Sequence, residues 1–304
     1  MQDKLLKLHN DWAEIVLKQE IKYIYHYTSK VGLDGIFVNH QLWANDIYRQ
    51  NDRTEGVYIL KLLKDNIDDL CHDERIRKVI LEQIEELQPK LVDDFYNNDK
   101  YRTFIISFST RSDELSLWNY YTKDKNSVGY NIQFNVDKLV SDLNTRKIKN
   151  EDGRIRQYID SLHCKHGEVI YDEKKQLRIL GDVIKRFIEA SEIRDDEWAY
   201  LLVDKIIWIG TFFKSPYFIH EYEYRIVFFT YTDKSKLELD NVPIEIEGKD
   251  KNHIEIYFDS AAIGDVICSP TNSQDNIEYP KQYMTRHYPN FNNVVESEIP
   301  FRVI

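Results

Sequence analysis

His220-Glu221-Tyr222-Glu223-Tyr224-Arg225-Ile226-Val227-Phe228-Phe229 alternates charged and aromatic side chains and then becomes wholly apolar. Alternate residues of a strand share a face, so Glu221, Glu223 and Arg225 are expected on one side and Tyr222 and Tyr224 on the other. The apolar continuation makes Tyr222 to Thr230 a central strand, where two carboxylates and a guanidinium need partners or a function. An exposed ladder of ion pairs is the plainer alternative.

The flanking sequence supplies further strands: Ile21 to Thr28, Phe104 to Ser109, Gly129 to Phe134, Glu168 to Tyr171, Ile254 to Phe258 and Asp265 to Ile267. Leu237-Glu238-Leu239 and Ile244-Glu245-Ile246 alternate in the same way. Helical spacing marks residues 3–20, 54–70, 74–95, 113–122, 173–191 and 195–209, with Pro89 expected to kink or break the third. Ser29 is placed to cap a short helix through Phe37, and Asn45 to Thr54 reads as a polar loop. The implied class is α+β, with a central, mostly antiparallel sheet and helices around it. An N-terminal helix (1–20) precedes a single domain (21–304).

Composition narrows the function classes. Of 304 residues, 42% are hydrophobic and 13% aromatic, which suffices for a buried core and excludes general disorder. Cys71, Cys164 and Cys268 are far apart and odd in number, which suits free thiols and a cytoplasmic setting. Met1-Gln2-Asp3-Lys4 leads into a charged amphipathic stretch, so no signal peptide is expected, and the apolar run Ile206 to Phe213 is too short to span a bilayer. A net charge of −11 disfavours binding to bulk nucleic acid. His163-Cys164-Lys165-His166 has no second Cys or His pair at metal-site spacing and reads as a solvated loop, so no metal is expected. Hydrolase elbows, phosphate-cradling loops and the dinucleotide glycine fingerprint are all missing from the sequence.

Three segments carry chemistry that fits together. Tyr25-His26-Tyr27-Thr28-Ser29 offers a histidine suited to gripping a ribose hydroxyl. Ser116-Leu117-Trp118-Asn119-Tyr120-Tyr121 places Trp118 and Tyr121 about one turn apart, as a shelf for a nicotinamide or adenine ring or simply as helix packing. In the charged strand, one carboxylate could stabilise a cationic ribose while the other, two residues earlier, activates an acceptor.

These segments resemble the bacterial domain-of-unknown-function family 2971 (DUF2971), which is thought to share the ADP-ribosyltransferase fold. The resemblance rests on Tyr25-His26-Tyr27-Thr28, Leu42-Trp43-Ala44-Asn45, Asn51-Asp52 with Glu55, and Ile106-Ser107-Phe108-Ser109. It rests further on Leu117-Trp118 with Tyr121, Gly129, Phe213-Lys214, Glu221 to Arg225, and Ser297 to Arg302. The loop departs from the pattern at Arg53, where proline is expected.

The resemblance implies an NAD-consuming mono-ADP-ribosyltransferase with His26 opening and Glu223 closing a His–Tyr–Glu triad. Tyr121 is preferred to Trp118 as its middle member, and Glu221 assists as the second acid. Tyr27, Thr28, Asn51, Asp52, Trp118 and Arg225 complete the expected NAD-contacting set. An NAD glycohydrolase and a non-catalytic nucleotide- or protein-binding module are the alternatives. A macromolecular acceptor and an antitoxin or regulator are the implied partners, in the setting of a toxin or antiphage effector. The acidic balance itself generates an expectation: duplex DNA should bind weakly and salt-sensitively, and tight sequence-independent binding at physiological salt in a titration would contradict it.

Overall fold

The computed structural model describes residues 20–47, 50, 52, 54–92, 101–121, 128–143, 147–149, 155–157, 164–190, 196–231, 253–288 and 293–300. In chain order the elements are β1 (Tyr23–Ser29), α1 (Lys30–Asn39), β2 (Gln41–Asp46), α2 (Tyr58–Leu70), α3 (Glu74–Val92) and β3 (Tyr101–Ser109). Then follow α4 (Leu115–Tyr121), β4 (Gly129–Asn135), α5 (Val136–Leu143), β5 (Lys147–Lys149), β6 (Ile155–Gln157) and β7 (Lys165–Glu168). The last are α6 (Glu173–Ala190), α7 (Asp196–Gly210), a 3₁₀ turn (Pro216–Glu221), β8 (Glu223–Tyr231), β9 (His253–Tyr257), β10 (Ile263–Cys268), α8 (Gln274–His287) and β11 (Val294–Glu296).

The expected α+β class and mostly antiparallel sheet are present, and β3 organises them. One edge of β3 pairs with β8 along its whole length, from Tyr101↔Tyr231 to Ser109↔Glu223. The other edge is shared. β1 takes it at Tyr25↔Ser109, and β2 takes it at Asn45↔Ile105 and Asp46↔Phe104. Among the described residues, Ile106, Ser107 and Phe108 have no strand partner on that edge. From this fork one wing continues through β4, β10 and β11, and the other through β9. Only β10 and β11 pair in parallel among the described strands.

Period-two alternation then separates two cores. Phe104, Ile106, Phe108, Tyr224, Ile226 and Phe228 enter one, packed with Leu33, Phe37, Tyr130, Phe134 and Leu139. The opposite face carries Ser107, Ser109, Glu223 and Arg225. On that side a helical cluster is built from Ile59 and Leu63 of α2, Ile80 and Ile84 of α3, Leu180 and Ile184 of α6, and Val203 and Ile206 of α7. Ile47, Ile105, Phe212 and Val227 form a smaller patch between the sheet and these helices.

Several expectations change. Asn45 and Asp46 belong to β2, not to a loop, because β9 and β3 pair with them. Helix α2 starts at Tyr58, not residue 54: Thr54 to Val57 form a turn in which Gly56 has φ 77°, a conformation open to glycine at little strain. Helix α3 runs through Pro89 to Val92, so the proline sits in its final turn without ending it. Cys164 to His166 is not a solvated loop: Cys164 is buried, and His166 lies in β7 with Nδ1 2.6 Å from the Tyr224 hydroxyl. Helices α5 and α8 and strand β11 were not anticipated. The helix expected at 3–20 (apart from Glu20) and the alternating stretches at 237–239 and 244–246 lie outside the described residues. No described helix is long and apolar enough to cross a membrane, and all three cysteines are free and buried.

Gly210 closes α7 against α2: a β-carbon there would lie 2.5 Å from Ile59 Cγ2. Overpacking of this kind costs about 1–3 kcal/mol. The gain in helix propensity from alanine is at most about 1 kcal/mol and smaller at a helix end. Gly210→Ala should therefore lower stability, read as a reduced urea midpoint.

Candidate functional site

The fork in the sheet opens a cavity of about 200 Å³. Tyr25, His26 and Tyr27 line it from β1, Trp43 and Asn45 from β2, and Ser107, Phe108 and Ser109 from β3. Leu117, Tyr120 and Tyr121 of α4 close one side, and Gln50, Lys214, Glu221 and Glu223 complete the wall. Thus His26, Tyr27, Tyr121, Glu221 and Glu223, distant in sequence, share one cavity.

Glu223 opens β8 and is buried. Its Oε1 accepts from Arg225 Nε (2.8 Å) and from the Ser107 hydroxyl (2.7 Å), and its Oε2 accepts from Arg225 Nη2 (2.8 Å). Lys214 Nζ lies 3.3 Å from Glu223 Oε2, 2.6 Å from Glu221 Oε2 and 3.4 Å from Glu55 Oε2. Arg225, fully buried, also pairs with Glu55 Oε1 (2.7 Å) and donates to the Thr211 carbonyl (2.6 Å). Burial opposes the Glu223 charge, but Arg225 and Lys214, with hydrogen bonds from Arg225 and Ser107, outweigh it and hold the carboxyl well below the usual carboxylate range. Glu221 goes the other way. Burial raises it, Lys214 pulls it back, Glu223 pushes it up again, and the net shift is upward.

Local structure explains how these groups meet. The Asp52 carboxylate accepts from the Thr54 amide (2.8 Å) and hydroxyl (2.7 Å), fixing the turn that aims Glu55 at Arg225. Gln176 of α6 donates to the carbonyls of Ile170 and Lys214, anchoring the backbone beneath Lys214. Between the two site carboxylates, Tyr222 has φ 47°. This left-handed turn, about 1–3 kcal/mol of strain for a non-glycine residue, lets Glu221, at the end of the 3₁₀ turn, reach the same lysine as Glu223. The Tyr222 carbonyl accepts from the Thr110 amide (2.8 Å), and Arg111 stacks on its ring at 4.6 Å.

His26 Nδ1 lies 3.1 Å from the Ser107 carbonyl. Only an N–H can pair with a carbonyl, so Nδ1 carries the hydrogen and Nε2 keeps a lone pair. Burial lowers the His26 pKa, with the Ser107 bond opposing. Tyr27 lines the cavity with its ring, while its hydroxyl donates to the Arg111 carbonyl and accepts from the Glu114 amide, each at 3.0 Å. Its ring stacks with that of Tyr121 at 6.2 Å and 20°.

The remaining expected site residues stand elsewhere. Trp118 is 1% exposed, edge-on to Tyr27, with its indole N–H bonded to Asp113 (2.6 Å); it is helix packing and offers no face to the cavity. Asp113 also accepts from Ser297 and the Glu298 amide, tying the C-terminal stretch to the same corner. Thr28 lies past the cavity, where its side chain fills the space a β-carbon on Gly32 would need. Asp52 and Arg225 support Glu55 and Glu223 from behind, and Asn51 lies outside the described residues. Lys214 and Trp43, quoted above only as marks of resemblance, and Gln50 are cavity residues that were not expected. Glu55 and Ser107, likewise only marks, enter the polar cluster. The described residues contain no group of three or more His, Cys, Asp or Glu side chains able to hold a metal ion.

Removing Arg225 would leave Glu55 and Glu223 with Lys214 as the cation they share, the Ser107 hydroxyl still bonding Glu223. Arg225→Met should cost about 3–5 kcal/mol at pH 7, the usual penalty for orphaning a buried charge. Because Glu223 titrates lower in the folded chain than its unfolded value near 4.3, its stabilisation is complete above that pH and lost as pH falls through the folded value. In the variant the Glu223 carboxyl rises and is neutralised earlier, so the stability gap to wild type should narrow between pH 7 and pH 5 in urea titrations.

A search of curated proteins gives no match. No solved structure matches either. Residues 117–226, from α4 through Lys214, Glu221 and Glu223 to β8, match the model of a family described as "Protein of unknown function (DUF2971)", which bears out the resemblance to that family over this stretch.

Proposed function

We propose that the protein is an NAD-dependent mono-ADP-ribosyltransferase with an ADP-ribosyltransferase-like fold, and that Glu223 is its principal catalytic residue. The observation that carries this reading is a buried carboxylate, held ionised by Arg225 and Ser107 on the wall of a cavity that also presents His26 and Tyr121. NAD is the substrate, and no metal takes part. The bond from ribose C1′ to nicotinamide breaks, its electron pair leaves with nicotinamide, and the ribose becomes cationic. An oriented anion in a dry site stabilises such charge far better than one in water. Tyr121, with Tyr27 behind it, gives the nicotinamide a flat wall. His26 Nε2 accepts from a ribose hydroxyl. Glu221, more exposed and less acidic than its neighbour, takes the proton that the acceptor loses as it bonds to C1′.

The contact of Lys214 with both acids favours a second reading, in which the site binds a nucleotide without turning it over. Chromatography of nicotinamide release and of labelled acceptor in lysate distinguishes them. Transfer supports the first reading, free ADP-ribose alone indicates a glycohydrolase, and NAD binding without either indicates a binding module. Glu223→Gln should reduce nicotinamide release by roughly 10²–10³-fold with NAD affinity nearly intact. Glu221→Gln should keep more cleavage and lose transfer.

A further inference from the structure

Trp43 stands out among the large apolar side chains of the sheet because it is 55% exposed while lining the cavity. Its ring is held in place. His253, opposite Asn45 in the β2–β9 register, stacks on it with centroids 4.0 Å apart and planes within 13°. One face is covered by His253, and the exposed remainder of the side chain contributes to the cavity lining. Asn45, two residues along β2, projects from the same side and lines the same wall, and Gln50 lines it too. A pre-oriented aromatic plate beside a carboxamide is the pairing that recognises a base: the ring stacks on its π-face, and the amide pairs with a donor–acceptor edge such as adenine presents.

We infer that Trp43, with Asn45 beside it, forms a purine subsite that takes the adenine of an adenine nucleotide, at the β2 wall of the cavity that Glu223 also lines. This rests on the reading of the cavity as an NAD site and assigns its second half. The ligand's two flat rings then have separate seats, nicotinamide against Tyr121 and adenine against Trp43. The diphosphate between them runs at the open side, away from the buried carboxylates. The ring is already stacked on His253 before a ligand arrives, which limits the side-chain freedom lost on binding.

The test titrates AMP and, separately, nicotinamide mononucleotide into the full chain by calorimetry. Trp43→Ala should weaken AMP by about tenfold or more, the usual loss for a stacked base, and Trp43→Phe should retain most of the affinity. Nicotinamide mononucleotide should bind wild type and both variants alike. Asn45→Ala should also weaken AMP, which provides an arm independent of the tryptophan. The inference is overturned if wild type does not bind AMP or if Trp43→Ala binds it as well as wild type. It is equally overturned if that variant loses both mononucleotides alike. AMP binding through Trp43 without NAD cleavage sinks the transferase reading and leaves the subsite standing. NAD cleavage with AMP binding indifferent to Trp43 does the reverse.

Discussion

Burying the Glu223 carboxylate is the constraint from which much of the molecule follows. An ionised carboxyl at the inner end of a central strand is untenable without cations and hydrogen-bond donors. Arg225 supplies a two-point contact from the next residue on the same face, but a buried guanidinium has further N–H groups to satisfy. Glu55 and the Thr211 carbonyl accept from these. Each partner then needs its own support: the Asp52-capped turn with its glycine for Glu55, the end of α7 for Thr211, and the Gln176 clamp for Lys214. The helices α2, α6 and α7 are thus more than a cover for the sheet. Their packing against one another fixes where the polar partners of one carboxylate stand.

The second constraint is the fork. A strand edge inside a protein must satisfy its backbone groups, and β1 and β2 each pair with only part of the β3 edge. The Ser107 carbonyl in the gap is met by His26 Nδ1, so one side chain stands in for a missing ladder bond. The Ser107 hydroxyl at the same time bonds Glu223. One β3 residue therefore links the histidine wall to the acid wall, and the cavity has a rigid floor where the sheet is open.

How much of this was legible depends on distance along the chain. The two faces of residues 223–228 could be read because period-two alternation is local, and the burial of Glu223 and Arg225 followed from the apolar continuation. Glu221 and Tyr222, expected on the same strand, lie instead in the 3₁₀ turn and the left-handed turn before it. The left-handed turn at Tyr222 could not be read, since nothing in a tyrosine announces positive φ. Lys214 and Glu55 are ordinary charged residues until folding brings them to Arg225. Trp118 and Trp43 show the limit of spacing arguments. Each sits beside a plausible polar neighbour in a short element, yet Asp113 and Tyr27 draw one indole into the core, while the β2–β9 register leaves the other at the rim. Helix α5 was within reach: Val136, Leu139, Val140 and Leu143 have helical spacing, and adjacency to the β4 strand pattern concealed it.

Charge balance bears on the orientation of any ligand. The cluster contains three carboxylates, Glu55, Glu221 and Glu223, against two cations, Lys214 and Arg225. With all five ionised it keeps one net negative charge in a partly dry space. Burial is the main cause of the upward shift of Glu221, and the neighbouring Glu223 charge adds to it against the pull of Lys214. A cationic group entering the cavity offsets the surplus and opposes the upward shift of Glu221. A phosphate placed there would meet two carboxylates whose cations are already engaged. The electrostatics therefore favour a cationic group over a phosphate at the acid wall of the cavity.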